Sequence, residues 1–198
     1  VYEWYEDEVR GVEKRAKSAT QHPVTFYGSS SVRLWTTLAE DFAGVPVLNL
    51  GFGGSTLAAC AYYFERLALP PAPRSLIVYA GDNDIGDGQS PAAVIASLDD
   101  LAAKIDRALP GIPVGYISIK PSPARWELVE RIRTVNAAAK ALFSSRTDRV
   151  YLDVFSAMLS DTGGPRPELF DADGLHMNRE GYRLWWQVIG AERNRLLL

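Results

Sequence analysis

Val24-Thr25-Phe26-Tyr27 is an apolar, β-forming run that ends abruptly in Gly28 and three serines, Ser29, Ser30 and Ser31. A break of this kind reads as a buried strand entering a tight turn. The same punctuation recurs: Pro46-Val47-Leu48-Asn49-Leu50 runs into Gly51-Phe52-Gly53-Gly54-Ser55, and Ser75-Leu76-Ile77-Val78-Tyr79-Ala80 runs into Gly81-Asp82-Asn83-Asp84. Further β-forming runs occupy 114–119 and 150–154. Helical periodicity fills the intervals at 2–19, 32–42, 56–69, 92–109, 125–143 and 179–197, the fourth opened by Ser90 as N-cap with Pro91 at the first helical position. Strands this apolar have no face to give to solvent, and their alternation with helices implies a parallel sheet covered on both sides. The expected fold class is α/β, a three-layer α/β/α sandwich around a flavodoxin-like five-stranded sheet of order 2-1-3-4-5. With 198 residues and 47% hydrophobic content, the chain reads as one domain over 1–198.

In such a sheet, ligands sit at the carboxyl ends of the strands. Ser30, the Gly53-Gly54 turn and Asn83 each follow a strand end and so converge on one crevice. Ser30 has the setting of a nucleophile on a strand-to-helix turn, although no G-x-S-x-G is present. The competing reading is structural, with Ser30 or Ser31 capping the next helix. Serine needs an adjacent base, and the sequence offers two histidines. His22 precedes the first strand, which places it at the opposite edge, roughly 13 to 17 Å from Ser30 at about 3.3 Å per residue. His176 follows the last strand in a loop that can return to the crevice, with Asp173 three residues earlier to fix its tautomer and Asp171 as a competitor for that role. Gly54 can present a bare backbone N–H to a developing oxyanion, and Asn83 can add a side-chain amide.

Other chemistries fit less well. Asp82, Asp84, Asp87 and Asp173 raise the question of a divalent metal, which the alternating directions of neighbouring aspartates disfavour. No G-x-G-x-x-G follows the first strand and no Gly-Lys-Ser/Thr occurs, so a phosphate cradle is set aside. Cys60 is the sole cysteine and reads as a small buried hydrophobe. A net charge of -3 with both signs interspersed offers no cationic face for nucleic acid, and no apolar run reaches the ~20 residues that insert into a membrane. The chain opens on Val1 without methionine, which leaves its targeting open; the expectation is a soluble protein, either cytoplasmic or exported after removal of a signal peptide. The charges of 2–19 read as a solvated helix face.

Taken together, the motifs resemble the SGNH (GDSL-type) hydrolase family. Phe26-Tyr27-Gly28-Ser29-Ser30 is similar to its first block, Asn49-Leu50-Gly51-Phe52-Gly53-Gly54-Ser55 to the second, Gly81-Asp82-Asn83-Asp84 to the third and Asp173-Gly174-Leu175-His176 to the fifth. The resemblance implies Ser30 as nucleophile, His176 as base and Asp173 as its orienting partner. It implies an oxyanion hole made by the Ser30 and Gly54 N–H groups and the Asn83 amide, with no cofactor. Ser29 stands where the family's namesake aspartate would be, as in a Gly-Ser-Ser-Ser subgroup. The expected function is a serine esterase acting on short-chain acyl esters through an acyl-enzyme on Ser30. One alternative is a deacetylase of acetyl-sugars or polysaccharides, motivated by Lys120, Arg125 and Trp126 beside the fourth strand's carboxyl end. The other is a non-catalytic ligand-binding module of the same fold. The substrate expected is a small-molecule or saccharide ester, with Leu169 and Phe170 lining a small acyl pocket.

Overall fold

The computed structural model describes residues 2–20 and 22–198. Five strands, β1 (Val24–Gly28), β2 (Val47–Gly51), β3 (Ser75–Tyr79), β4 (Val114–Ile117) and β5 (Arg149–Leu152), form one parallel sheet of order β2-β1-β3-β4-β5. The pairing keeps strand ends level, with Gly28 opposite both Gly51 and Tyr79. Alternate strand residues therefore feed two cores. Tyr27, Leu76, Val78, Val114 and Tyr116 point to one face, where α1 (Glu6–Ser18), α4 (Leu57–Leu67), α6 (Pro91–Ala108) and α7 (Val129–Phe143) bury their apolar stripes. Val24, Phe26, Ile77, Tyr79 and Ile117 point to the other, against α2 (Ser30–Arg33), α3 (Leu38–Asp41), α9 (Arg179–Ala191) and α10 (Arg193–Leu196). This is the three-layer arrangement that the strand composition implies.

Caps and breaks place the element ends. The Ser90 hydroxyl accepts from the Ala93 N–H at the start of α6, and Asn178 accepts from the Glu180 and Gly181 N–H groups at the start of α9. Several expected helices are interrupted. The helix expected over 32–42 begins at Ser30 and splits into α2 and α3. The one expected over 125–143 opens as a 3₁₀ turn, Pro123–Leu128, in which Arg125 leaves helical geometry at φ -122°. The last helix breaks at Glu192. A short helix, α5 (Asp82–Gly86), occupies what reads in sequence as a turn, and another, α8 (Val154–Ala157), follows β5. His22 lies in the loop before β1, where its Nδ1 is 2.9 Å from the Ala72 carbonyl oxygen, away from the strands' carboxyl ends. Cys60 is buried in α4, and burial pushes its thiol up to about 12. No helix among the described residues is long and apolar enough to cross a membrane.

Candidate active site

The end of β1 determines where Ser30 sits. Gly28 has φ +143°, and a Cβ there would lie 1.9 Å from the Tyr79 carbonyl oxygen of the neighbouring strand, so only glycine lets the chain turn at this point. The Ser29 N–H then donates to that same carbonyl at 2.9 Å, and Ser30 becomes the first residue of α2. Ser29 holds the N-cap position without a side-chain cap bond, which corrects the reading of Ser30 or Ser31 as the capping serine.

The loop after β5 brings His176 to that serine. Asp173 Oδ1 accepts from the Leu175 and His176 N–H groups, at 2.9 Å each, while its Oδ2 lies 2.6 Å from His176 Nδ1. His176 Nε2 is 3.1 Å from Ser30 Oγ. The Leu175 N–H, followed by the His176 ring and N–H, holds the Asp173 carboxyl at about 2. An ionised carboxylate can only accept, so the Nδ1 it faces carries the proton and Nε2 keeps its lone pair toward the Ser30 hydroxyl. Asp171 meets His176 through its own backbone N–H, which donates to the His176 carbonyl at 2.8 Å.

On the other side of Ser30, the turn after β2 is pinned from outside the sheet. The Gly53 N–H donates to Glu8 Oε2 at 2.9 Å, and the Tyr5 hydroxyl donates to the Gly54 carbonyl at 2.9 Å. The Gly54 N–H, like that of Ser30, has no hydrogen-bond partner among the described residues. Asn83, on α5, donates one amide hydrogen to the Ser55 carbonyl at 3.0 Å and keeps the second. Asp84 accepts from the Leu57 N–H with both oxygens at 3.1 Å, and burial raises its carboxyl to about 6. The site thus assembles a hydroxyl, an imidazole held by a carboxylate, and uncommitted donors facing them.

A family model described as the GDSL-like lipase/acylhydrolase family matches residues 18–184. The chain belongs to this family. The matched stretch carries Ser30, Gly54, Asn83, Asp173 and His176, whereas Tyr5 and Glu8, which pin the Gly53-Gly54 turn, lie before it. Among solved structures, a Streptococcus pneumonia protein superposes with TM-score 0.82 at 20% identity, covering 96% of this chain and 94% of its own. A GDSL-like lipase from Bacteroides thetaiotaomicron superposes with TM-score 0.76 at 20% identity, covering 99% and 98%. The OSK domain of Drosophila Oskar superposes with TM-score 0.68 at 17% identity, covering 90% and 91%. Such likenesses establish the fold. No curated protein sequence matches the chain.

Within this family frame, the surroundings of the site depart from the sequence reading in three places. Lys120, expected beside the substrate, is 1% exposed and ion-paired with Asp82 at 2.5 Å. Leu169 and Phe170 are buried in the core with Met177 and Tyr182, so they line no open acyl pocket. Glu8 is more than part of a solvated face, since it anchors Gly53 and lies 3.4 Å from Arg33. A glutamate on an exposed helix carries no local mark of such a contact. No group of three or more His, Cys, Asp or Glu residues suited to a metal ion occurs among the described residues.

Proposed function

We propose that this acylhydrolase-family chain is a serine esterase that hydrolyses short-chain acyl esters through an acyl-enzyme on Ser30. The observation that carries the reading is the line of contacts from Ser30 Oγ through the His176 ring to Asp173. In the first step His176 Nε2 takes the Ser30 proton as Oγ bonds to the ester carbonyl carbon. The Ser30 and Gly54 N–H groups and the free Asn83 amide hydrogen receive the negative charge on the carbonyl oxygen. His176 then passes its proton to the departing alcohol as the C–O bond breaks. A water that loses its proton to His176 attacks the acyl-enzyme, the acid leaves, and the proton returns to Ser30 Oγ. No cofactor enters these steps.

The short-chain preference is supported by the burial of Leu169 and Phe170, which leaves the polar 161–174 loop without large apolar side chains to form a trench. A second reading, deacetylation of a saccharide, is favoured by Trp4. Its ring is 67% exposed and lies against the Gly54 turn, where a Cβ on Gly54 would meet it at 3.1 Å. An open aromatic face at that rim suits the apolar face of a sugar ring.

The test is kcat/KM for p-nitrophenyl esters of two to sixteen carbons and for acetylated saccharides. Acetyl to butyryl esters should be preferred, and Ser30→Ala should lower turnover by about 10⁴-fold or more with the fold intact. A buried methylene is worth about 0.8 kcal/mol, so an optimum at eight carbons or longer would reveal an apolar groove and refute the preference. Trp4→Ala should weaken action on saccharide acetates and spare ethyl acetate if the second reading holds.

A further inference from the structure

A buried charged cluster that the proposed steps do not use lies directly behind Asn83. Asp82 is 3% exposed and Lys120 1%, and their ion pair is completed by Arg125, whose guanidinium donates to Asp82 Oδ1 at 2.6 Å. The Lys120 ammonium also donates to the Tyr79 hydroxyl oxygen at 3.2 Å, and that hydroxyl donates to Asp82 Oδ2 at 3.3 Å. The second arm of Arg125 donates to Asn83 Oδ1 at 3.3 Å. The charge that reaches the amide oxygen of the residue proposed as an oxyanion donor is thus the Arg125 guanidinium, itself held by Asp82.

Local structure is arranged around this contact. Arg125 sits at the non-helical step of the Pro123–Leu128 turn. Gly86 clears its path, since a Cβ there would fall 2.6 Å from the Arg125 guanidinium carbon. The neighbouring Ala124 N–H donates to the Gly174 carbonyl at 3.0 Å, so the same turn also contacts the loop carrying Asp173 and His176. A guanidinium can only donate and the Ser55 carbonyl can only accept. The Asn83 amide is therefore held in one orientation, oxygen toward Arg125 and nitrogen toward Ser55 and the crevice.

We infer that Arg125 is a positioning residue of the oxyanion site: it locks the Asn83 amide with Nδ2 facing the crevice and, backed by Asp82 and Lys120, polarises that amide into a stronger donor. Hydrogen bonds in series strengthen one another, and a fixed positive charge in a buried setting acts on the developing oxyanion without having to reorganise. Lysine would keep the charge but could not fork between Asp82 and Asn83.

The inference rests on the reading of Asn83 as an oxyanion donor, and a double-mutant cycle separates the two. Arg125→Ala should lower kcat by about 10- to 100-fold with KM little changed, Arg125→Lys should fall between, and guanidinium ion should restore part of the loss in Arg125→Ala. In an Asn83→Ala background, removal of Arg125 should change kcat by less than about twofold, because the amide through which it acts is gone. Thermal melts of each variant identify loss of fold, and Arg125→Lys keeps the cycle readable if Arg125→Ala does not fold. Equal losses in both backgrounds would overturn the positioning role, as would a rise in KM at constant kcat, which would make Arg125 a substrate contact. An unchanged kcat in Asn83→Ala alone would refute the oxyanion reading itself.

Discussion

Two carboxylates flank the Ser30 crevice, and the protein builds them by opposite means. Asp173 belongs to a four-residue turn, its side chain 48% exposed, with the N–H groups of Leu175 and His176 and the imidazole as partners. Asp82 has a side chain only 4% exposed, and its cationic partners come from residues 38 and 43 positions away. Both carboxyls lie below their ordinary range for different reasons. The Leu175 N–H is the largest influence on Asp173, whereas burial opposes ionisation of Asp82 and is outweighed by Lys120 and Arg125. The exposed carboxylate is supported locally and needs little from the fold. The buried one would be costly without its cations. Chemistry and stability should therefore separate between the two regions.

The largest effect expected from this comparison is on turnover. Asp173→Asn should lower kcat by about 10⁴-fold, since an amide no longer fixes the His176 tautomer, while unfolding free energy falls by less than about 1 kcal/mol, the range of exposed pairs. Asp171→Asn should change kcat/KM by no more than about twofold, the scale of a substitution that removes no side-chain partner of His176. A larger loss for Asp171→Asn would reassign the orienting carboxylate. Lys120→Met should show the reverse pattern. Weakening a buried ion pair costs up to about 3 to 5 kcal/mol, which urea unfolding would read as a lowered midpoint, with turnover reduced far less than in Asp173→Asn. If Lys120→Met left stability unchanged, the contrast between the two carboxylates would collapse.

A smaller effect concerns pH. With Asp173 held at about 2, its charge persists throughout the neutral range, so Asp173 should contribute no proton to the acid limb of kcat/KM. Asp84, raised to about 6, titrates nearby, and Asp84→Asn should retain the same acid limb. Their effects on stability have opposite signs. The raised Asp84 contributes stability that is complete below the ordinary carboxyl range and is lost as pH rises through about 6. The depressed Asp173 contributes stability present above that range and lost as pH falls through about 2, a small term because the side chain is half exposed. A two-proton limb that becomes a one-proton limb in Asp84→Asn would show that Asp84 gates activity.

The same contrast explains what the sequence made legible. The ends of β1, β2 and β3 are visible because an apolar run meeting glycine is a local signal, whereas β4 and β5 meet none and end two residues short of the expected runs; five strands alternating with helices then match a doubly wound sheet of the observed order. Asp173 and His176 are visible as a pair because they lie three positions apart. Ser30 and His176 are 146 residues apart, and only the topology brings them together. The short polar helix α5 has too little periodicity to announce itself, and the break between Arg33 and Leu38 carries no proline or glycine. Lys120 and Arg125 read as substrate-facing cations because they follow the fourth strand's carboxyl end; their pairing with Asp82 is long-range, and no local pattern links it to them. Glu8 and Tyr5 are similar cases, since a helix face shows its amphipathic stripe but not the loop that its polar side chains reach.

The central claim is that Ser30 is the nucleophile and that His176, oriented by Asp173, activates it. The most direct measurement is reaction with a serine-directed phosphonate followed by fragmentation mass spectrometry of the peptide that contains Ser29, Ser30 and Ser31. The account predicts one adduct per chain, located on Ser30, that forms in step with loss of esterase activity and is far slower in His176→Ala. An adduct on Ser29 or Ser31, or full inactivation with Ser30 unmodified, would contradict it.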